Sequence, residues 1–321
     1  MTTVFFATNR AEDKAAPFGF SDTAVDFDAQ KITFAKAEVA NISLNDESSG
    51  VIQQITDKTY GNFSAKTTVE IISRSNNLLV FIHGFDNSFE DAVKRAAFNR
   101  EWLAASGVAA ADTTVIAFSW PSTGMLFAAP PHMPPDAYLA DQARAARSAF
   151  HIAYFLRVVD QIQASYRKAN PAGRVFLLAH SMGNHALSGA VQLWFNSNDP
   201  PDAIFDEAVL AAGDEVAQTL NLPAMGQMTG LRQLAKRISV YHSRIDVAMY
   251  LSTTLNLTQR LGFDGPTNKH DESVFPKSVF RIVDCTDVSD YDHLKPPDAT
   301  HQYYRRSKWV RADIAGVFSG K

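Results

Sequence analysis

Three apolar runs stand out in the middle of the chain: Leu78-Leu79-Val80-Phe81-Ile82, Thr114 to Phe118, and Val175-Phe176-Leu177-Leu178-Ala179. A strand covered on one face alternates apolar and polar residues, whereas one covered on both faces reads as a continuous run, so these predict buried strands. Helical spacing fills the gaps between them. Ser88 with Asp91 makes a capping box, Val93, Ala96, Ala97 and Leu103 continue the pattern, and Gly107 ends it. From Asp136 to Lys168, apolar residues recur at three- and four-residue steps through Leu139, Ala143, Ala146, Phe150, Tyr154, Val158, Ile162 and Tyr166. A third helical pattern runs through Ala186, Leu187, Ala190 and Leu193. Strands joined by such crossovers build a parallel sheet with helices on both faces.

The alternation continues more loosely with strands predicted at Ala208–Ala212, Arg237–His242 and Val279–Val283, and a closing helix from Gln302 to Phe318. Ahead of the core, Val4-Phe5-Phe6-Ala7 reads as a strand, Ile32–Leu44 and Thr68–Ser73 as weaker ones, and Gly50–Lys58 as a short helix. These N-terminal strands are expected to extend one edge of the sheet in antiparallel fashion. The expectation is one α/β domain over residues 1–321, with 1–75 as strand extension and 76–321 as core.

Composition narrows the classes. At 321 residues the chain can bury a large core, and 30 basic against 34 acidic residues leave no long basic run for nucleic acid. The Arg305, Arg306, Lys308, Arg311 cluster is short and reads as a solvated helix face. A single cysteine, Cys285, excludes an intrachain disulfide and fits a reducing compartment. Val4 to Ala7 is too short for a signal peptide, and no stretch approaches the ~20 apolar residues of a membrane span, so a cytoplasmic protein is expected.

The candidate chemistry sits where strands end, as in open α/β sheets generally. The run Val175 to Ala179 breaks into His180-Ser181-Met182-Gly183 before a helix, which is the strand, sharp turn and helix of a nucleophile elbow. Ala179 and Gly183 are small enough for the two backbones to pass closely, although the usual pattern has glycine at both places. A serine hydroxyl needs a base within hydrogen-bond reach, and the base needs an orienting carboxylate. The chain order serine, acid, histidine leaves His293 and His301 beyond the last strand, and His301, just ahead of the closing helix, is preferred. For the acid, Asp246 follows the penultimate strand and Asp214, after the preceding one, is the alternative. The N–H groups of Phe85 and Met182 are the expected oxyanion-hole donors, with His83 holding the Phe85 loop. His270-Asp271-Glu272 and Asp290 to His293 lack metal-protease spacing and read as solvated loops, and no nucleotide fingerprint follows any strand; no metal and no cofactor is expected. Phe127, Met133, Tyr138, Met249 and Tyr250 are candidates for the wall of an acyl pocket, beside Met125–Pro135 and Ala248–Pro276.

Several motifs in order carry a family resemblance: Thr8-Asn9-Arg10, Phe81-Ile82-His83-Gly84-Phe85, Asn87-Ser88-Phe89-Glu90-Asp91-Ala92, Phe118-Ser119-Trp120-Pro121-Ser122 and Ala179-His180-Ser181-Met182-Gly183-Asn184. Together they resemble an α/β-hydrolase family of bacterial esterase- or lipase-like proteins, long catalogued as a domain of unknown function. The resemblance runs from near the N-terminus to about His301. It implies a serine hydrolase fold and a triad, and both His301 in Thr300-His301-Gln302 and Asp246 in Ser243-Arg244-Ile245-Asp246 look like the family's residues. The expected activity is cleavage of a small-molecule carboxylic ester by Ser181, His301 and Asp246. Two alternatives stand beside it: a binding or scaffold protein on the same fold, and an acyltransferase or thioesterase using the same triad.

Overall fold

The computed structural model describes residues 1–123, 127–128, 131–132, 134–197, 203–221, 227–294 and 299–321. In chain order the strands are β1 (Thr2–Thr8), β2 (Arg10–Glu12), β3 (Phe20–Ala24), β4 (Thr33–Ala40), β5 (Val51–Tyr60), β6 (Asn77–Ile82), β7 (Thr113–Ser119), β8 (Phe127–Ala128), β9 (Pro131–His132), β10 (Arg174–His180), β11 (Glu207–Ala211), β12 (Ile238–His242) and β13 (Phe280–Asp284). The α-helices are α1 (Ala65–Arg74), α2 (Phe89–Ala104), α3 (Pro135–Ala169), α4 (Gly183–Ser197), α5 (Leu231–Leu234), α6 (Val247–Asn256), α7 (Leu261–Asp264), α8 (Tyr303–Arg306) and α9 (Lys308–Phe318). Nine strands form one sheet in the order β13-β12-β11-β10-β6-β7-β1-β4-β5. Pairing is parallel from β13 to β1 and antiparallel for β1 with β4 and β4 with β5. The N-terminal strands thus extend one edge, as expected.

The continuous apolar runs are explained by cover on both faces. Leu78, Val80 and Ile82 of β6, with Val175, Leu177 and Ala179 of β10, join the core beneath α1, α3 and α4. Leu79, Phe81, Phe176 and Leu178 turn to the opposite core, which α2, α8 and α9 close. β10 is the middle one of the seven parallel strands, so the turn that follows it is surrounded by strand ends on both sides.

Five expectations need correction. Gly50–Lys58 is not helical, and all of it but Gly50 belongs to β5, an edge strand whose register against β4 slips at Phe34/Lys36 and again at Glu38/Val39. Those bulges break the period-two alternation that marks a strand. Thr68–Ser73 is not a strand but part of α1, because the Ser64 hydroxyl caps the Thr67 N–H at 3.1 Å and Thr67 with Ile71 forms a buried helical stripe. The first half of α3 presents the opposite face from that predicted: Leu139 and Phe150 are exposed, and Asp141, Ala145, Ser148 and Ala149 are buried. The closing helix is two helices, split at Ser307, whose hydroxyl caps the Val310 N–H at 3.0 Å. The basic cluster there is also not a plain solvated face. Arg305 is buried and Arg306 pairs with Glu47 at 2.5 Å, because the 41–50 loop folds over this end of the molecule.

The Ala212 turn after β11 shows how closely the strand ends are packed. A Cβ added at Gly262 would lie 2.3 Å from the Ala212 carbonyl carbon and 2.5 Å from the Gly213 nitrogen. Both neighbours are backbone in the sheet's carboxyl edge and have little room to yield. Gly262→Ala is expected to lower stability by about 1–3 kcal/mol or more, seen as a lower midpoint in denaturant or thermal unfolding; an unchanged midpoint would refute this packing.

Candidate active site

β10 ends at His180, and Ser181 takes up a left-handed backbone with φ 53° before α4 begins at Gly183. A non-glycine residue in that region is strained and persists where its surroundings over-determine it. Here they do. The Ser181 N–H donates to Ala211 O at 3.0 Å. Its carbonyl accepts from the Asn184 N–H at 3.0 Å, the Asp214 N–H at 3.0 Å and the Asn184 side-chain amide at 3.1 Å. Asn184 also donates to Ala179 O at 3.1 Å, tying the turn to its own strand.

The two glycines beside the turn allow close approach. A Cβ at Gly183 would sit 2.4 Å from His83 O, and one at Gly84 would sit 2.6 Å from the Ser181 Cβ. The Gly84-Phe85 turn therefore closes directly on Ser181. The His83 ring stacks on Trp120 at 5.2 Å with its plane tilted by 1°. Its Nε2 accepts the Trp120 N–H at 3.0 Å, so Nδ1 carries the proton and donates to Gly84 O at 2.9 Å. Burial holds this imidazole well below its usual range, with Arg10 adding to the effect, so it is neutral. His83 braces the loop, as its position suggested.

Arg10, one of the family-like landmarks with no role assigned from sequence, is the deeper brace. Its guanidinium is buried and reaches Asn87 O at 2.7 Å, the Ser119 hydroxyl at 3.1 Å and Asp22 at 2.5 Å. Burial lowers its pKa to about 10, which still leaves it a cation at neutral pH. Asn87 in turn donates to Gly84 O at 3.0 Å and Phe85 O at 2.7 Å. The N-terminal strand and the Gly84-Phe85 turn are thereby one hydrogen-bonded unit.

The structure brings His301 to Asp246: Nδ1 and Oδ2 are 2.8 Å apart, and both side chains are buried. Asp246 is the N-cap of α6, and its other oxygen accepts the Met249 N–H at 3.0 Å. That cap places the carboxylate at the positive end of a helix, where its charge is favoured. Thr300 fastens the His301 loop to the same helix by accepting the Val247 N–H at 3.0 Å. With Nδ1 engaged by Asp246, Nε2 is the ring atom through which His301 can exchange a proton.

Asp214 is occupied elsewhere. Its carboxylate accepts from the Tyr138 hydroxyl at 3.0 Å and the Ser252 hydroxyl at 2.5 Å, and Arg260 lies 3.5 Å away. Tyr138 is thus a buried tether between α3 and α6 rather than an apolar wall; burial and the Asp214 charge raise its pKa. Met249 is buried in the core and Tyr250 is exposed. Phe127, by its side chain, and Met133 lie outside the described residues, as does much of Met125–Pro135. His293 stacks on Tyr291 at 4.3 Å and does not share the Asp246 carboxylate bond made by His301. Clefts of about 420 and 710 Å³ lie along the Arg244 and Lys269 side of the Ser243–Asp246 turn, and neither is lined by Ser181 or His301. A reactive site is defined by its reacting groups rather than by surface concavity.

The sequence shows matching relatives at two levels. Residues 62–314 match the family described as "Alpha/beta hydrolase of unknown function (DUF900)". Similar solved structures include the poly(3-hydroxybutyrate) depolymerase LpqC of Bordetella parapertussis, at 15% identity over 66% of this chain and 75% of that one, TM-score 0.36. Others are a predicted CIB-like hydrolase of Thermoplasma acidophilum, at 11% identity over 89% and 92%, TM-score 0.33, and MenH of S. aureus, at 11% over 76% and 93%, TM-score 0.34. No curated protein matches the sequence. No helix among the described residues is long and apolar enough to cross a membrane.

One ion pair beside the elbow gives a pH prediction. His185 Nδ1 lies 2.7 Å from the buried Glu215 carboxylate, which also accepts the Ser188 hydroxyl at 2.8 Å. Burial opposes charge on His185, but the bond to Glu215 outweighs it and raises the pKa; for Glu215, burial is likewise outweighed by the His185 bond and the pKa falls. The raised histidine stabilises fully below the ordinary histidine value of 6.5 and loses that contribution as pH climbs through its folded pKa. The lowered glutamate stabilises fully above 4.5 and loses it as pH falls through its folded pKa. The pair should therefore stabilise most between those two values, and His185→Gln should flatten the alkaline decline in a pH series of unfolding midpoints.

Proposed function

The chain belongs to the alpha/beta hydrolases of unknown function, and from that premise we propose that it is a serine hydrolase that cleaves a carboxylic ester through an acyl-enzyme. The observation that carries the reading is the 2.8 Å bond between His301 Nδ1 and Asp246 Oδ2, together with a serine at φ 53° on the adjoining strand-to-helix turn.

The roles follow from the chemistry. Asp246, an acceptor on both oxygens, fixes the proton of His301 on Nδ1 and leaves the Nε2 lone pair as the base. Nε2 takes the Ser181 proton as Oγ attacks the ester carbonyl, and the Asp246 charge stabilises the imidazolium that forms. The carbonyl oxygen becomes an oxyanion, for which the N–H groups of Phe85 and Met182 are the donors; losing one such donor typically costs about 3 kcal/mol. His301 then returns the proton to the leaving alcohol. Water repeats the cycle in reverse on the acyl-enzyme, releasing the acid and restoring Ser181. The substrate is a small-molecule ester, and the buried serine favours a substrate whose acyl carbonyl reaches into the turn.

Hydrolysis of p-nitrophenyl esters tests the assignment. Ser181→Ala should lower kcat by roughly 10⁴-fold or more, and Asp246→Asn by roughly 10³- to 10⁴-fold, each with a folded protein. Asp214→Asn should instead lower the unfolding midpoint by the loss of a buried, hydrogen-bonded charge, with kcat changed by less than about tenfold. A larger kcat loss in Asp214→Asn than in Asp246→Asn would reject Asp246 as the acid, and full turnover by Ser181→Ala would reject the mechanism.

A further inference from the structure

His301 is the last residue of a 3-10 turn, Ala299–His301, and does not end a strand. Side-chain contacts converge on His180, the residue bonded to Ser181. Its ring packs 4.8 Å from the His301 ring on one side and 4.5 Å from the Tyr304 ring on the other. Its Nε2 is buried with no hydrogen-bond partner among the described residues. The His180 side chain is 2% exposed, and burial keeps the ring neutral, with the charges of His301, Arg305 and Arg95 adding to that effect.

We propose that His180 is a positioning residue: its ring packs against the ring of His301, and so fixes the distance between Ser181 and its base. The proposal rests on the reading of His301 as the base. Because His180 is covalently joined to Ser181, any movement of the nucleophile turn carries this contact with it, and the base follows. A neutral ring is required, since an imidazolium there would oppose the positive charge that His301 acquires as it takes the serine proton.

Two substitutions in the full chain test the packing. His180→Phe keeps a ring against His301, and His180→Ala removes it. With a p-nitrophenyl ester, His180→Ala should lose about 100-fold in kcat with KM within about threefold, as misplacement of a reacting group by about 1 Å does. His180→Phe should recover most of that loss. In a His301→Ala background, His180→Ala should change the residual rate by less than about twofold, because the two residues act as one unit. A second readout needs no substrate: the His301 Nδ1–H shared with Asp246 should give a downfield proton resonance, assigned by its loss in His301→Gln. It should be lost or broadened in His180→Ala and retained in His180→Phe. Wild-type kcat and an intact resonance in folded His180→Ala overturn the proposal, as do equal losses in both variants. If the wild-type chain hydrolyses no ester, the hydrolase reading fails while the resonance still decides whether His180 holds His301; if His180→Ala does not fold, His180→Leu, which fills the space without a ring, takes its place against Phe.

Discussion

The site depends on one backbone constraint: Ser181 held at φ 53° by three donors that converge on its carbonyl oxygen. Left-handed backbone costs a non-glycine residue about 1–3 kcal/mol, so the conformation exists only because Asn184, Asp214 and the neighbouring strand ends enforce it. The rest of the sheet's carboxyl edge is shaped to permit this. Gly183 and Gly84 let the elbow helix and the Phe85 loop come within contact of the serine, and Arg10 with Asn87 locks that loop to the start of β2. Fold and site are therefore not separable here: the two-sided burial of β10 that sets the topology also fixes the point from which the serine projects.

The proposed acid and base are held differently. Asp246 owes its position to a helix cap, and His301 owes its position to Asp246, Thr300 and the ring of His180. Downstream, the Tyr303 hydroxyl donates to Tyr241 O at 2.8 Å and accepts the Ala212 N–H at 3.2 Å, anchoring the segment that follows the base to the ends of two strands. A base on a loop can be placed accurately only if such bonds are numerous, and the aromatic packing of His180, His301 and Tyr304 supplies the shape that hydrogen bonds alone would not.

Much of this was legible in the sequence because the physical signals were strong. The apolar runs at Leu78–Ile82 and Val175–Ala179 could only be doubly covered strands, and Ser88 with Asp91 announced α2 through a capping box that the structure contains. Legibility failed where polar residues carry packing. On α3, Asp141 and Ser148 face inward because they hold the Ser122 hydroxyl at 2.6 Å and the Asn9 amide at 3.0 Å, and hydrophobic spacing assigns that face to solvent. β5 was hidden by its bulges, and α1 by its β-branched residues, whose propensity the Ser64 cap overrides. The proposed triad of Ser181, Asp246 and His301 was named from places after strands, and the contact between Asp246 and His301 is present in the structure. The bracing roles of Arg10 and His180 could not be read this way, since each depends on contacts between segments distant in the chain, and only the motif positions of these residues hinted at a role.

The central claim, that Ser181 is an activated nucleophile, is tested most directly by reacting the folded chain with a fluorophosphonate and locating the adduct by peptide mass spectrometry. The account predicts a single phosphonyl group on Ser181, formed rapidly in the wild-type chain and suppressed in His301→Ala. Absence of any adduct on folded protein, or an adduct on another residue with Ser181 unmodified, would contradict it.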